Sequence, residues 1–183
     1  MTRRTLLTSL AAAATLRAES SSAMTTPPHR TQPPAEWKPK LGVLGPYTPA
    51  NVEFAKTQGF TNMILGVGRH GTLDAETVTD AQIESVKATL QKYDMHVSAF
   101  QIDGNHIAPD PEQRARQNAY FVKTSELAGK LGVPYLGTQS GKDPSKPFQE
   151  QVDEIVRVYH DKYFAACERN HVRILWEPYP EAA

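Results

Sequence analysis

A glutamate stands where an apolar run gives out: Val172-Arg173-Ile174-Leu175-Trp176-Glu177, then Pro178-Tyr179-Pro180. A carboxylate at the lip of a strand can hold a hard divalent cation or take a proton from a carbon acid. Its bland counterpart is a solvated strand-end glutamate paired with Arg173 or a lysine. Four more polar clusters follow apolar runs in the same way: Gly45-Pro46-Tyr47, Gly68-Arg69-His70, Asp103-Gly104-Asn105-His106 and Gln139-Ser140-Gly141-Lys142. His70 and His106 carry the imidazole donors that a metal takes, or else are surface loop histidines. Asn105 offers a donor and an acceptor to a substrate hydroxyl, or else serves the turn after Gly104. Gln139 has the same amide chemistry.

Residues this scattered need a fold to gather them. The spacing predicts strands at Leu41–Leu44, Met63–Val67, Val97–Ile102, Tyr135–Thr138 and Val172–Glu177. Helices intervene. Thr48-Pro49 offers an N-cap with proline in the first turn, and Gly59 suits the end of that helix. Thr79 and Gln82 form a capping-box pair ahead of the stripe Ile83, Val86, Leu90 and Tyr93. A third helix opens near Pro111, with Tyr120, Thr124, Leu127, Ala128 and Leu131 on one face. The fourth places Val152, Ile155, Val156, Tyr159, Tyr163, Ala166 and Cys167 at helical spacing. Strand–helix alternation of this length implies right-handed crossovers and a parallel sheet, whose function collects at the carboxyl ends of the strands. An open doubly wound sheet and a closed barrel compete. The series stops on a strand with no covering helix, so the expected fold is α/β: a partial TIM (β/α)8 barrel of about five parallel strands and four helices, interrupted after the fifth strand.

Before Leu41 the chain reads differently. Arg3-Arg4 precedes an apolar stretch, Leu6 to Leu16, and small residues end at Ser21-Ser22-Ala23. Residues 1–23 match a twin-arginine-type export signal, which implies a periplasmic or secreted protein. Translation from Met24 would leave it cytoplasmic. Residues 24–40, with five prolines, form a linker, and 41–183 the barrel portion. The chain carries 20 basic and 20 acidic residues and a net charge of zero. Nothing in that balance calls for a nucleic acid partner. No apolar run reaches the roughly 18 residues of a membrane span. Cys167 is the single cysteine, which excludes an internal disulfide. It lies on the apolar stripe of the fourth helix and reads as a small core residue.

Gly66-Val67-Gly68-Arg69-His70-Gly71 spells G-x-G-x-x-G. A dinucleotide site needs the last glycine to open a helix. Here Thr72 to Val78 intervenes, so the glycines are expected to shape a loop.

Two stretches resemble a known family. Val97-Ser98-Ala99-Phe100-Gln101-Ile102-Asp103-Gly104-Asn105-His106, with Ala108-Pro109-Asp110-Pro111 after it, is one; Ala166 through Pro178 is the other. Both are similar to the sugar phosphate isomerase/epimerase family, which has the xylose isomerase-like TIM barrel. The resemblance covers Leu41 to Pro180. It implies a divalent metal (Mn, Mg, Co or Zn) at the barrel mouth, with Glu177 as first ligand and catalytic carboxylate. It also implies a small sugar as partner, met by Asn105, His106 and Gln139. Relatives often carry histidine before the Gly-Asn where this chain has Asp103, so Asp103 and His70 are secondary candidates. The chemistry implied is proton transfer next to a carbonyl through an enediolate. The family's later strands bring the remaining ligands, so these residues alone are expected to give no turnover. Two alternatives share the barrel: a sugar-binding module without catalysis, and an endonuclease IV-like zinc phosphoesterase drawing on His70 and His106.

Overall fold

The computed structural model describes residues 40–177. The expected export signal, most of the linker and Pro178-Tyr179-Pro180 lie outside the described residues. Five strands alternate with helices: β1 (Gly42–Pro46), α1 (Pro49–Thr57), β2 (Asn62–Gly66), α2 (Asp80–Lys92), β3 (His96–Gln101), α3 (Pro111–Leu131) and β4 (Tyr135–Thr138). The last crossover is α4 (Phe148–Val158), a π-helical turn (Tyr159–Tyr163) and α5 (Phe164–Arg169), leading to β5 (Arg173–Trp176). Every neighbouring pair is parallel and the sheet order is β1-β2-β3-β4-β5. That order separates the two architectures. A doubly wound sheet reverses direction at a switch point. Here each right-handed crossover steps the same way, so all the helices cover one face. The sheet is the arc of a barrel.

Local chemistry explains where the helices begin and end. Thr48 Oγ1 accepts from Asn51 N at 3.0 Å, with Pro49 in the first turn of α1. Thr79 and Gln82 close the capping box of α2: Gln82 N donates to Thr79 Oγ1 at 3.2 Å and Thr79 N to Gln82 Oε1 at 2.8 Å. Asp110 Oδ1 caps α3 by accepting from Gln113 N at 2.6 Å. Gly132 stops α3 with φ of 69°, a left-handed geometry that glycine adopts without a Cβ penalty. The π turn at Tyr159–Tyr163 interrupts what the spacing predicts as one continuous helix. It corrects the drift of the spacing Ile155, Tyr159, Tyr163, Cys167, whose steps of four exceed the helical period of about 3.6.

The core lies between the helices and one face of the sheet. Met63, Leu65, Phe100 and Leu136 meet Ile83, Val86, Phe121 and Tyr163 there, all buried. Each such side chain contributes roughly 1.5–3 kcal/mol by leaving water. One residue of the expected stripe departs from it: Val156 faces solvent at 59% exposure, while Val158 is buried at 8%. The opposite face, toward the barrel axis, is open; Leu44 is 61% exposed. Strand β5 is an edge among the described residues, with Leu175 at 46% and Trp176 at 56% exposure. No helix among the described residues is long and apolar enough to cross a membrane.

Candidate functional site

Alternation along β5 puts Leu175 and Glu177 on the open face, opposite the partly buried Ile174. Two hydrogen bonds hold Glu177. Its N–H donates to Thr138 O at 2.9 Å, which extends the β4–β5 pairing by one residue. Its Oε2 accepts from Gln101 Nε2 at 3.1 Å. Gln101 ends β3, and β4 lies between them, so the amide crosses a whole strand. Gln101 is paired with Gly137 and Gly137 with Leu175. The crossing is open because position 137 has no side chain. A Cβ there would fall on Gln101 Oε1, 3.2 Å from Cδ and 3.3 Å from Phe100 O. Gln101 escaped the sequence reading, although its signal is there: Phe100-Gln101-Ile102 puts one polar residue on the face opposite two core residues.

The other expected residues are arranged differently. The tail of β3 turns away from the mouth. His106 is fully buried on the helix side, so it is neither a surface histidine nor within reach of a solute. Its Nε2 lies 2.7 Å from Thr138 Oγ1 and its Nδ1 2.7 Å from Tyr163 Oη. Tyr163 Oη donates in turn to Asn118 Oδ1 at 2.6 Å. With that direction, Nδ1–H donates to Tyr163 and Nε2 accepts from Thr138, which describes a neutral imidazole. Phe121 and Tyr159 set their rings edge-on to it. Burial lowers its pKa from 6.5 to about 4 and pushes the Tyr163 hydroxyl up.

Asn105 is half-buried and spends its amide on the chain itself. Nδ2 donates to Lys142 O at 2.6 Å and Oδ1 accepts from Ile107 N at 3.2 Å, tying the β3 loop to the β4 loop. Asp103 is exposed, and its carbonyl accepts from Gln117 Nε2 at 3.0 Å. Gln139 is half-buried, and among the described residues its side chain makes no hydrogen bond.

The loop after β2 builds its own structure. Helix α2 begins only at Asp80, so Gly71 opens no helix and the glycine-rich stretch is a loop. The buried Asp74 carboxylate accepts from Glu76 N and His70 N, both at 3.0 Å. Burial pushes its pKa up, but these donors outweigh that, and it lies below the usual carboxylate range. His70 itself is exposed, at φ of 60°. Arg69 does not face the mouth. It clamps Glu76 at 2.8 and 2.7 Å, lies 4.2 Å over the Tyr120 ring, and donates to Arg116 O. Cys167 is buried and its thiol pushed up to about 11 by burial, which leaves it without thiolate character at neutral pH.

The structure thus brings Glu177 and Gln101 together on the open face and sends His106 and Asn105 into the scaffold. Among the described residues, no three His, Cys, Asp or Glu side chains converge as a metal set. A solvent-facing carboxylate steadied by an amide can take up and return a proton, or give one hard oxygen to a cation.

Comparison with known proteins agrees with the topology. A search of curated proteins finds no significant match. Solved structures match in fold. A xylose isomerase domain protein from Planctomyces limnophilus is 17% identical, with a TM-score of 0.59 over 76% of this chain and 52% of that one. D-psicose 3-epimerase from Clostridium cellulolyticum H10, solved with D-tagatose, is 17% identical, with a TM-score of 0.59 over 74% and 51%. A xylose isomerase-like TIM barrel protein from Mycobacterium smegmatis, in complex with magnesium, is 14% identical, with a TM-score of 0.56 over 73% and 47%. The chain spans about half the length of these structures. A family model, xylose isomerase-like TIM barrel, matches residues 52–182. With the singly wound sheet and its carboxyl-end glutamate, this match shows that the chain belongs to the xylose isomerase-like TIM barrel family.

Proposed function

We propose that this chain works as part of a metal-dependent sugar isomerase or epimerase, with Glu177 as its proton-handling carboxylate. The observation that carries the reading is the placement of Glu177: at the carboxyl end of β5, on the open face, its carboxylate held by Gln101. The carboxyl ends of barrel strands are where this architecture carries its chemistry.

The fold family implies a divalent cation, and the donors present fit one in kind. The Glu177 carboxylate and the Gln101 amide oxygen are hard oxygens, two of the roughly six such a cation takes. When bound, the cation would polarise the carbonyl and neighbouring hydroxyl of an open-chain sugar. Glu177 would remove the proton from the carbon beside that carbonyl and return it to the adjacent carbon or the opposite face. Gln101 would hold one carboxylate oxygen so that the other meets the substrate. We place the protein outside the cytoplasm, on the strength of Arg3-Arg4 and the apolar stretch behind them.

Two measurements test the reading. Mn2+ titrated into the 15N-labelled chain is expected to broaden the resonances of Gln101 and Glu177, and Glu177→Ala to abolish the effect. In the protein expressed from its gene, Mn2+ is expected to support exchange of a keto-sugar C–H for solvent deuterium, slowed roughly 10²–10⁴-fold by Glu177→Gln. Absence of exchange across keto-pentoses and keto-hexoses with Mn, Mg, Co and Zn would refute it.

A further inference from the structure

We propose that Gln101 is the positioning residue for Glu177, and that position 137 is glycine because the Gln101 side chain occupies the space a Cβ would need. The proposal rests on the reading of Glu177 given above for its purpose, but its geometry stands apart from any metal. Glu177 is the last described residue of an edge strand. Its backbone is fixed by one bond to Thr138 O, and its exposed side chain would sample several rotamers if left free. Among the described residues, the one hydrogen bond of that carboxylate comes from Gln101.

Gln101 can make this bond because three features coincide. First, the β2–β3 pairing shifts register at Met63/Ile64, where Val97 and then Ala99 face successive residues and Ser98 is left over. Ser98 Oγ donates to Met63 O at 3.2 Å across that irregularity. Second, beyond it Phe100 is fully buried in the core, so the alternate residue Gln101 points to the open face. Third, the amide passes over β4 at the single residue of that strand without a side chain. Gly137 has no positive φ to explain it; the crowding by Gln101 does. Three strands thus cooperate in one small device, with donor on β3, gap on β4 and acceptor at the end of β5.

A double-mutant cycle with a spectroscopic readout tests it in the full chain. Gly137→Ala is expected to push the Gln101 amide, the movable end of its side chain, off the Glu177 carboxylate and to lower the melting temperature by only about 2–4 °C. In a Gln101→Ala background the same change is expected to cost less, since the Gln101 amide is gone and only Phe100 O, 3.3 Å from the added Cβ, still crowds it. Equal losses in both backgrounds would overturn the claim about position 137. Gln101→Glu keeps the shape but removes the donor. It is expected to retain the sensitivity to Gly137→Ala. For positioning itself, the side-chain amide cross-peak of Gln101 is expected to move in Glu177→Ala and in Gly137→Ala. A cross-peak unmoved by Glu177→Ala would overturn the link between the two side chains. Neither readout involves a cation or a sugar, so failure here and failure of the proposed activity are separate results.

Discussion

His106 should make this protein lose stability on mild acidification, and the size of the loss follows from its surroundings. The imidazole is sealed, its Nδ1–H given to Tyr163 and its Nε2 occupied by the Thr138 hydroxyl. Protonation would bring a charge into the core and turn the Thr138 hydrogen from Nε2 toward Gln139 O, 3.4 Å from Oγ1. The tyrosines whose rings lie against it cannot supply a counter-charge: Tyr159 is pushed up to about 12 by burial and Tyr163 is raised as well. The folded pKa is about 4, against 6.5 for a free histidine. Because the folded value is the lower one, the unfolded chain binds the proton first as pH falls. Stability is therefore whole above about pH 6.5, falls between 6.5 and 4, and levels below, where both states are protonated. The gap corresponds to roughly 3 kcal/mol, a large share of a domain's 5–15 kcal/mol. Urea unfolding at steps from pH 7 to 4 measures it, with a midpoint shift of roughly 1–3 M for ordinary m values. His106→Gln, a non-titrating amide with a donor and an acceptor, is the control. It starts less stable and loses less over the range, so the two profiles converge. Carboxylates held below their usual range, such as Asp74 and Asp143, also cost stability as pH falls, but equally in both proteins. Parallel profiles for wild type and His106→Gln would refute the assignment.

Two further substitutions probe the scaffold. Thr79→Ala removes one half of the capping box of α2 and is expected to cost about 1 kcal/mol, read as a lower denaturant midpoint with an unchanged slope. Asp74→Ala strands the N–H groups of His70 and Glu76 around a buried site. A loss of roughly 2–3 kcal/mol is expected, with faster amide exchange at His70 and Glu76, while Asp74→Asn, which keeps an acceptor, loses less.

What the sequence revealed and what it hid divide along a physical line. Caps are local: Thr48 and Thr79 reach only three residues ahead, so their helices were legible. Strand β4 was placed to the residue because Gly132-Val133-Pro134 leaves little choice before Tyr135. The parallel sheet followed from the alternation of strands with helix-containing crossovers. The fate of His106 was not legible. Its partners Thr138 and Tyr163 come from two elements 32 and 57 residues away along the chain, and no local pattern announces them. The Asn105 amide offers a donor and an acceptor, but Lys142 O and Ile107 N take both. The Gln101–Glu177 bond spans 76 residues; only the polar interruption of an apolar strand hinted at one end of it. The exposure of β5 depends on what lies beside it, which its own composition cannot encode.

The π turn holds one residue more than an α-helical turn needs. His160, Asp161 and Lys162 there are all exposed. Deleting a residue elsewhere in this crossover would swing everything downstream by about 100° and unmake the seam against the sheet. Deleting one of these three would convert the wide turn into an ordinary one, leaving α4 and α5 facing as they do now. The crossover therefore carries its own slack, a point where its length can change by one without disturbing the strand that presents Glu177.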